Sequence, residues 1–443
     1  MSEQAVDLLI EAGWVIPVEP HAVVLVDHAV AVHDGRIVEV LPRAAARAKY
    51  RAAETVSRPG HALLPGLVNM HCHAAMTLMR GMADDLPLML WLSEHIWPAE
   101  ARVVSAEYVR DGTRLAVAEM LSGGITCVND QYFFPEVTAA VYAELGMRAS
   151  VGLIVIEFPS NWAQSSDEYF DKGLAVHDQL RGHPLLRSAL APHAPYTVSD
   201  ASFERVRLYA DQLDIPVHVH VHETASEVED AFRQHGERPL ARLKRLGLCN
   251  PQLIAVHMTQ LNDAEIALCA ETGVNVVHCP ESNLKLASGF CPVEKLRRAG
   301  VNVSIGTDGC ASNNDLDLLG ETRTAALLAK AVASDAAALD AASALRMATL
   351  CGARALGLES EIGSIEAGKA ADLVTLRLDR FDTLPIFNAI SQVIYSSNRR
   401  DIDDVWVAGA RKLAAGVLVD IDTTELAARA REWGVRIVAG SGR

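Results

Sequence analysis

No stretch of this 443-residue chain approaches ~18 uninterrupted apolar residues, so none reads as a membrane-spanning helix. Clusters of lysine and arginine are also missing. The 40 basic residues are outnumbered by 56 acidic ones, for a formal net charge of -16. Binding that depends on neutralising phosphates is therefore not expected, which sets aside nucleic acid and anionic membrane surfaces. The eight cysteines form no CxxC pair and no dense framework. That scatter suits a reducing compartment better than a disulfide-stapled fold. The opening residues, MSEQAVDLLIEAGWVIPVEP, carry acids early and lack the basic start and apolar core of a secretory leader. The expectation is a soluble cytoplasmic protein. Also missing are HExxH, a phosphate-binding GxxxxGK[ST] loop, GxGxxG and GxSxG. His235-Gly236-Glu237 offers HxE, but no PCxxC follows, which excludes the zinc pattern of cytidine deaminases.

Strand-like apolar runs are plentiful, and their order is informative. Eight of them alternate with helical segments: LLPGLVNMHCH, ITCVND, MRASVGLIVI, RSALAPHAP, IPVHVHVHE, LIAVHM, VNVVHCP and VNVSIGTD. That alternation predicts parallel βα units, and eight units predict a (β/α)8 TIM-type barrel of ~250 residues or more. The flanks differ. AVVLVDHAVAVHDGRIVEVLP near the start, and GKAADLVTLRL with DIDDVWVAGARKL near the end, alternate apolar and polar residues around glycine turns. We read residues 1–62 and 366–443 as the two parts of a small β-sandwich domain, the second carrying a terminal helix. Residues 63–365 are read as the barrel.

Polar residues gather where the eight runs end: His71 and His73, Asp130, His193, His220 and Glu223, His257, His278, Asp308. In such barrels the C-terminal ends of the strands form the catalytic face. Residues i and i+2 of a strand share a face, so His71 and His73 can present two imidazoles to one point. HxH alone could equally close a strand with two polar residues. Together with His220 on the fifth run and Asp308 on the eighth it offers three imidazoles and a carboxylate, a set suited to one divalent ion with a position left for water. Zinc leads, and iron or manganese would accept the same donors. His218 and His222 are expected to pack behind the ligands rather than to ligate. The fourth run, RSALAPHAPYTVS, has no lysine to bridge a second metal. Glu223, three residues past His220, could move a proton without ligating, or could simply be an acid at the start of the next helix. His257 could polarise a water, or could be a packed core histidine.

These blocks resemble the amidohydrolase superfamily. LLPGLVNMHCHAAMTLMRGMADDLPLMLWLSEHIWPAE, APHAPYTVS, HVHETASEV, HCPESNLKLASG and IGTDGCASNN look like the 5-methylthioadenosine/S-adenosylhomocysteine deaminases within it. The resemblance runs over essentially the whole chain. It implies one metal, usually zinc, on His71, His73, His220 and Asp308, with Glu223 carrying a proton to the purine ring and His257 and Asp308 activating a water. It further implies that Glu100, in WPAE, takes the ribose hydroxyls and that His193, in PHAP, contacts the substrate. Members that accept S-adenosylhomocysteine carry arginines after the third strand, where this chain has VGLIVIEFPSNWAQSSDEYFDKG. The expected order is therefore methylthioadenosine, then adenosine, then S-adenosylhomocysteine. Glu157 is expected to repel a carboxylate there, and Phe158 and Trp162 to suit a methylthio group. A guanine-type deaminase or s-triazine chlorohydrolase on the same frame is a second reading, and a non-catalytic assembly protein a third. A homo-oligomer is possible, with Trp97 or Trp406 as interface aromatics.

Overall fold

The computed structural model describes residues 4–439. The eight expected runs all form strands: β1 (Leu67–Cys72), β2 (Ile125–Tyr132), β3 (Arg148–Val155), β4 (Leu186–Pro192), β5 (Val217–Val221), β6 (Leu253–His257), β7 (Asn275–His278) and β8 (Val303–Ile305). They pair in parallel and in chain order. Nearly every strand residue is buried, because helices cover one face and barrel filling the other, which is why the runs read as continuous rather than alternating apolar sequence. The intervening helices start on side-chain caps. Ser105, Ser165 and Ser199 each accept a backbone N–H, and Asn262 with Glu265 forms a capping box.

β8 closes the barrel onto β1 through a clasp rather than a ladder. Asn69 accepts from the Thr307 N–H at 3.0 Å and donates to its hydroxyl at 2.8 Å. The Asp308 N–H donates to the His71 carbonyl at 3.0 Å. Gly306 lies so near His71 that a Cβ would sit 2.7 Å from the His71 nitrogen. This clasp sets the carboxylate from the last strand beside the imidazole from the first.

The two chain ends together build a second sheet. Its spatial order is Val417–Leu418, Ala410–Ala414, Ile402–Val407, Leu373–Arg377, Tyr50–Pro65, Gln4–Val15, Leu25–His33 and Arg36–Pro42. N- and C-terminal parts join where Leu373–Arg377 runs antiparallel to Tyr50–Pro65, whose chain continues directly into β1. A buried pair, Arg148 to Asp372 at 2.9 and 3.0 Å, ties this sheet to β3. Trp406 is only 1% exposed, packed in the core of this sheet, so it offers no interface. Among the described residues no helix is long and apolar enough to cross a membrane.

Candidate metal centre and substrate cavity

The strand ends bring the four expected ligands together. His71 Nε2 lies 3.2 Å from His220 Nε2 and 3.2 Å from Asp308 Oδ1, and His73 Nε2 lies 3.3 Å from Asp308 Oδ1. A tetrahedral ion with bonds of about 2.0–2.1 Å spaces its donors about 3.3 Å apart. The protons also fit. His73 Nδ1 faces the Gln131 carbonyl at 2.5 Å and His220 Nδ1 faces the His193 carbonyl at 2.6 Å. A carbonyl only accepts, so each Nδ1 carries the hydrogen and each Nε2 turns a lone pair inward. His71 Nδ1 is engaged by His218 Nε2 at 2.9 Å, which places His218 behind the ligands. His222 turns away, accepting from the Leu240 N–H at 3.0 Å.

The electrostatics favour a cation at this point. Burial lowers His71 to about 4 and holds His220 well below the usual histidine value, so both stay neutral. Burial alone would raise Asp308, but His71, His73 and His257 outweigh it and hold the carboxyl well below the usual range. Three imidazoles and one carboxylate turn their lone pairs to a common point, and a divalent ion would relieve the repulsion between them. Asp308 Oδ2 accepts from Ser282 at 2.7 Å and from Ser312 at 2.8 Å, while Oδ1 accepts from the Gly309 N–H. Its backbone sits at φ +61°, a strained value that the clasp enforces.

Glu223 and His257 stand beside this point. Burial, aided by the Asp308 charge, pushes Glu223 up to about 8, so at neutral pH it keeps its proton. The main chain of Glu223 is clamped: Glu227 accepts its N–H at 2.6 Å, and the Thr259 hydroxyl donates to its carbonyl at 2.7 Å. His257 Nδ1 faces Asn283 Oδ1 at 2.9 Å, which leaves Nε2 as the basic nitrogen, 3.8 Å from Glu223 Oε2. Its ring stacks on His220 with centroids 5.5 Å apart.

His73, His220, Glu223, His257 and Asp308 open on one cavity of about 550 Å³, while His71 is fully buried outside its lining. Glu100 and His193 line it too. Burial raises Glu100 to about 7, and Tyr132 donates to its Oε1 at 2.7 Å. His193 is lowered to about 3 by burial and pairs through Nδ1 with Thr197 at 2.8 Å. Trp97 and Phe158 meet edge to face across the cavity wall, so Trp97 is part of the pocket. Among the described residues no lysine or arginine lines it.

Two expectations about the segment after β3 need correction. Trp162 points away from the cavity and donates its indole N–H to Glu136. Glu157 is turned outward, accepting from the Ser199 N–H. A loop without periodicity gave no means of telling inward from outward residues. Two other strand-end residues are not cavity groups either. Asp130 accepts from the Ala74 N–H and the Tyr142 hydroxyl, and His278 is buried outside the lining. Sequence reasoning missed Gln131, Tyr132, Glu227 and Thr259. Tyr132 directly follows the strand-end polar residues of β2, and that position was the available signal.

Comparison with known proteins agrees with this geometry. A model described as the amidohydrolase family matches residues 62–412. A 5-methylthioadenosine/S-adenosylhomocysteine deaminase of Teredinibacter turnerae is 47% identical over 428 residues, 97% of each chain. Among solved structures, an adenosine deaminase from Xanthomonas campestris with bound zinc is 63% identical, covers 99% of this chain and 100% of its own, and superposes with a TM-score of 0.98. An atrazine chlorohydrolase from Arthrobacter aurescens TC1, complexed with zinc, is 25% identical over 96% of this chain and 99% of its own, with a TM-score of 0.89.

Proposed function

This chain belongs to the amidohydrolase family, and from that membership we propose that it converts 5′-methylthioadenosine to the inosine analogue and ammonia, with adenosine its next substrate and S-adenosylhomocysteine a poorer one. Its family and relatives make it a hydrolase of carbon–nitrogen bonds, specifically a hydrolytic deaminase. The substrate assignment is supported by the cavity's make-up. The candidate ligands His73, His220 and Asp308, the protonated Glu223 and the half-free carboxylate of Glu100 share one space that, among the described residues, no lysine or arginine lines. Glu100, with Tyr132 on one oxygen, keeps the other for vicinal ribose hydroxyls. The carboxylate of a homocysteine tail would enter this wall without a counter-charge, and an unpaired buried charge is costly.

His71, His73, His220 and Asp308 would hold a divalent ion, zinc by donor type and spacing, and the ion would supply a water acidified into the neutral range. Glu223 gives its proton to the ring nitrogen beside the amino-bearing carbon, which makes that carbon electrophilic. Asp308 takes the proton that the attacking water loses, and His257 Nε2 orients that water. The carbon becomes tetrahedral. The proton on Asp308 passes to the amino group, which departs as ammonia. The new hydroxyl returns its proton to Glu223, leaving a carbonyl beside a protonated ring nitrogen.

The test is turnover by the zinc-loaded protein of methylthioadenosine, adenosine and S-adenosylhomocysteine, followed as loss of adenine absorbance. A second reading draws on the chlorohydrolase neighbour, which shares the frame. Chloride release from a chlorotriazine, with all three nucleosides untouched, would favour it. Glu100 has no task in that reaction, nor with a free base.

A further inference from the structure

The helix Thr423–Ala439 is the last described element, and the reaction above makes no use of it. Its placement is informative. It packs on the barrel helix Ala106–Ser122 and on the segment over the cavity, including the helix Trp97–Val103 that carries Glu100. Trp433, 4% exposed, meets Tyr108 edge to face at 5.3 Å between centroids. The indole is also fixed by bonds. Its N–H donates to Asp111 at 2.7 Å, and Arg429 clamps the same carboxylate at 2.6 Å.

Tyr108 is fully buried, and among the described residues its hydroxyl has no hydrogen-bond partner at ordinary geometry. Such orphans are rare and call for a reason. The polar neighbour of that hydroxyl is Tyr132, which belongs to the same buried cluster. Tyr132 spends its own proton on Glu100, and its oxygen retains lone pairs. The order of contact is therefore Trp433, Tyr108, Tyr132, Glu100. A carboxylate that must accept from two neighbouring hydroxyls works only when held in one orientation. Tyr132 holds one oxygen, Tyr108 limits the movement of Tyr132, and the indole backs Tyr108.

We propose that Trp433 is a positioning residue for Glu100, so that the terminal helix tunes ribose recognition without touching substrate. This rests on the reading of Glu100 as the ribose-binding acid. The test compares methylthioadenosine with its 2′,3′-dideoxy counterpart, using full-length zinc-loaded wild type, Trp433→Ala, Trp433→Phe, Tyr108→Phe and Glu100→Gln. Trp433→Ala is expected to raise KM for methylthioadenosine roughly tenfold, with kcat and the KM of the dideoxy compound within about twofold. Trp433→Phe restores most of the loss. Equal effects on both compounds, or a fall in kcat alone, would show ordinary packing and overturn the inference. If Trp433→Ala does not fold, Tyr108→Phe carries the test: a KM rise confined to the ribonucleoside supports the chain of contacts, and no change refutes it. If Glu100→Gln discriminates the two compounds and neither Trp433 nor Tyr108 variants do, only this inference falls. If Glu100→Gln treats both alike, or wild type turns over neither, the ribose reading falls and takes the inference with it.

Discussion

At the scale of single residues, the site works by setting charge states against solution values. Burial keeps His71 and His220 neutral, while the partners of Asp308 keep it ionised and its neighbour Glu223 keeps a proton. In the proposed reaction these two carboxyls, in opposite states, would serve as base and acid. Glu223→Gln removes the donor without touching a candidate ligand. Its kcat is expected to fall by about 10²–10⁴, with zinc content unchanged on elemental analysis. Loss of zinc together with activity would instead make Glu223 a ligand. Replacing Thr259 by valine frees the Glu223 carbonyl. A smaller loss, on the order of tenfold in kcat at constant KM, is expected in the same assay.

At the scale of elements, the catalytic face exists because β8 meets β1 through Asn69, Thr307 and the bare backbone of Gly306. A methyl group at Gly306 would press on the His71 backbone, which has no flexible end to yield. Gly306→Ala should lose about 1–3 kcal/mol in urea unfolding and bind zinc more weakly, because His71 and Asp308 would separate. Unchanged zinc affinity would show that the clasp does not set the ligand spacing. The strands themselves were legible in the sequence, since buried parallel strands are continuous apolar runs and all but the third carried a polar residue at or near the end. Candidate ligands were legible for the same reason, as strand periodicity fixes which way a side chain points. Direction in the 157–165 loop was not, and Trp162 and Glu157 were misplaced for lack of any periodicity there. Nor was the contact between Trp433 and Tyr108, because residues 322 positions apart, as Trp433 and Asp111 are, carry no local signal of their meeting.

At the scale of the whole molecule, the small sheet is a separate source of stability with its own pH dependence. Asp404 is fully buried. Burial alone would raise its pKa, but hydrogen bonds from Arg58, Arg411, the Ala415 N–H and Thr375 together hold it well below the usual value. A depressed folded pKa stabilises above the unfolded value of about 3.9 and loses that contribution as pH falls toward the folded value. Asp404→Asn should therefore cost about 3 kcal/mol at pH 7, and its deficit against wild type should shrink as pH drops below about 4. A deficit independent of pH would assign the effect to shape rather than charge. Metal should stabilise the barrel by mass action, so chelation should lower the melting temperature and added zinc restore it. The most direct test of the central claim remains the substrate comparison: kcat/KM of the zinc-loaded enzyme for methylthioadenosine and S-adenosylhomocysteine, by absorbance and by ammonia release. Deamination of methylthioadenosine with at least roughly tenfold preference over S-adenosylhomocysteine is expected, the order of effect when a buried charge finds no partner. Equal efficiency on the two would contradict it.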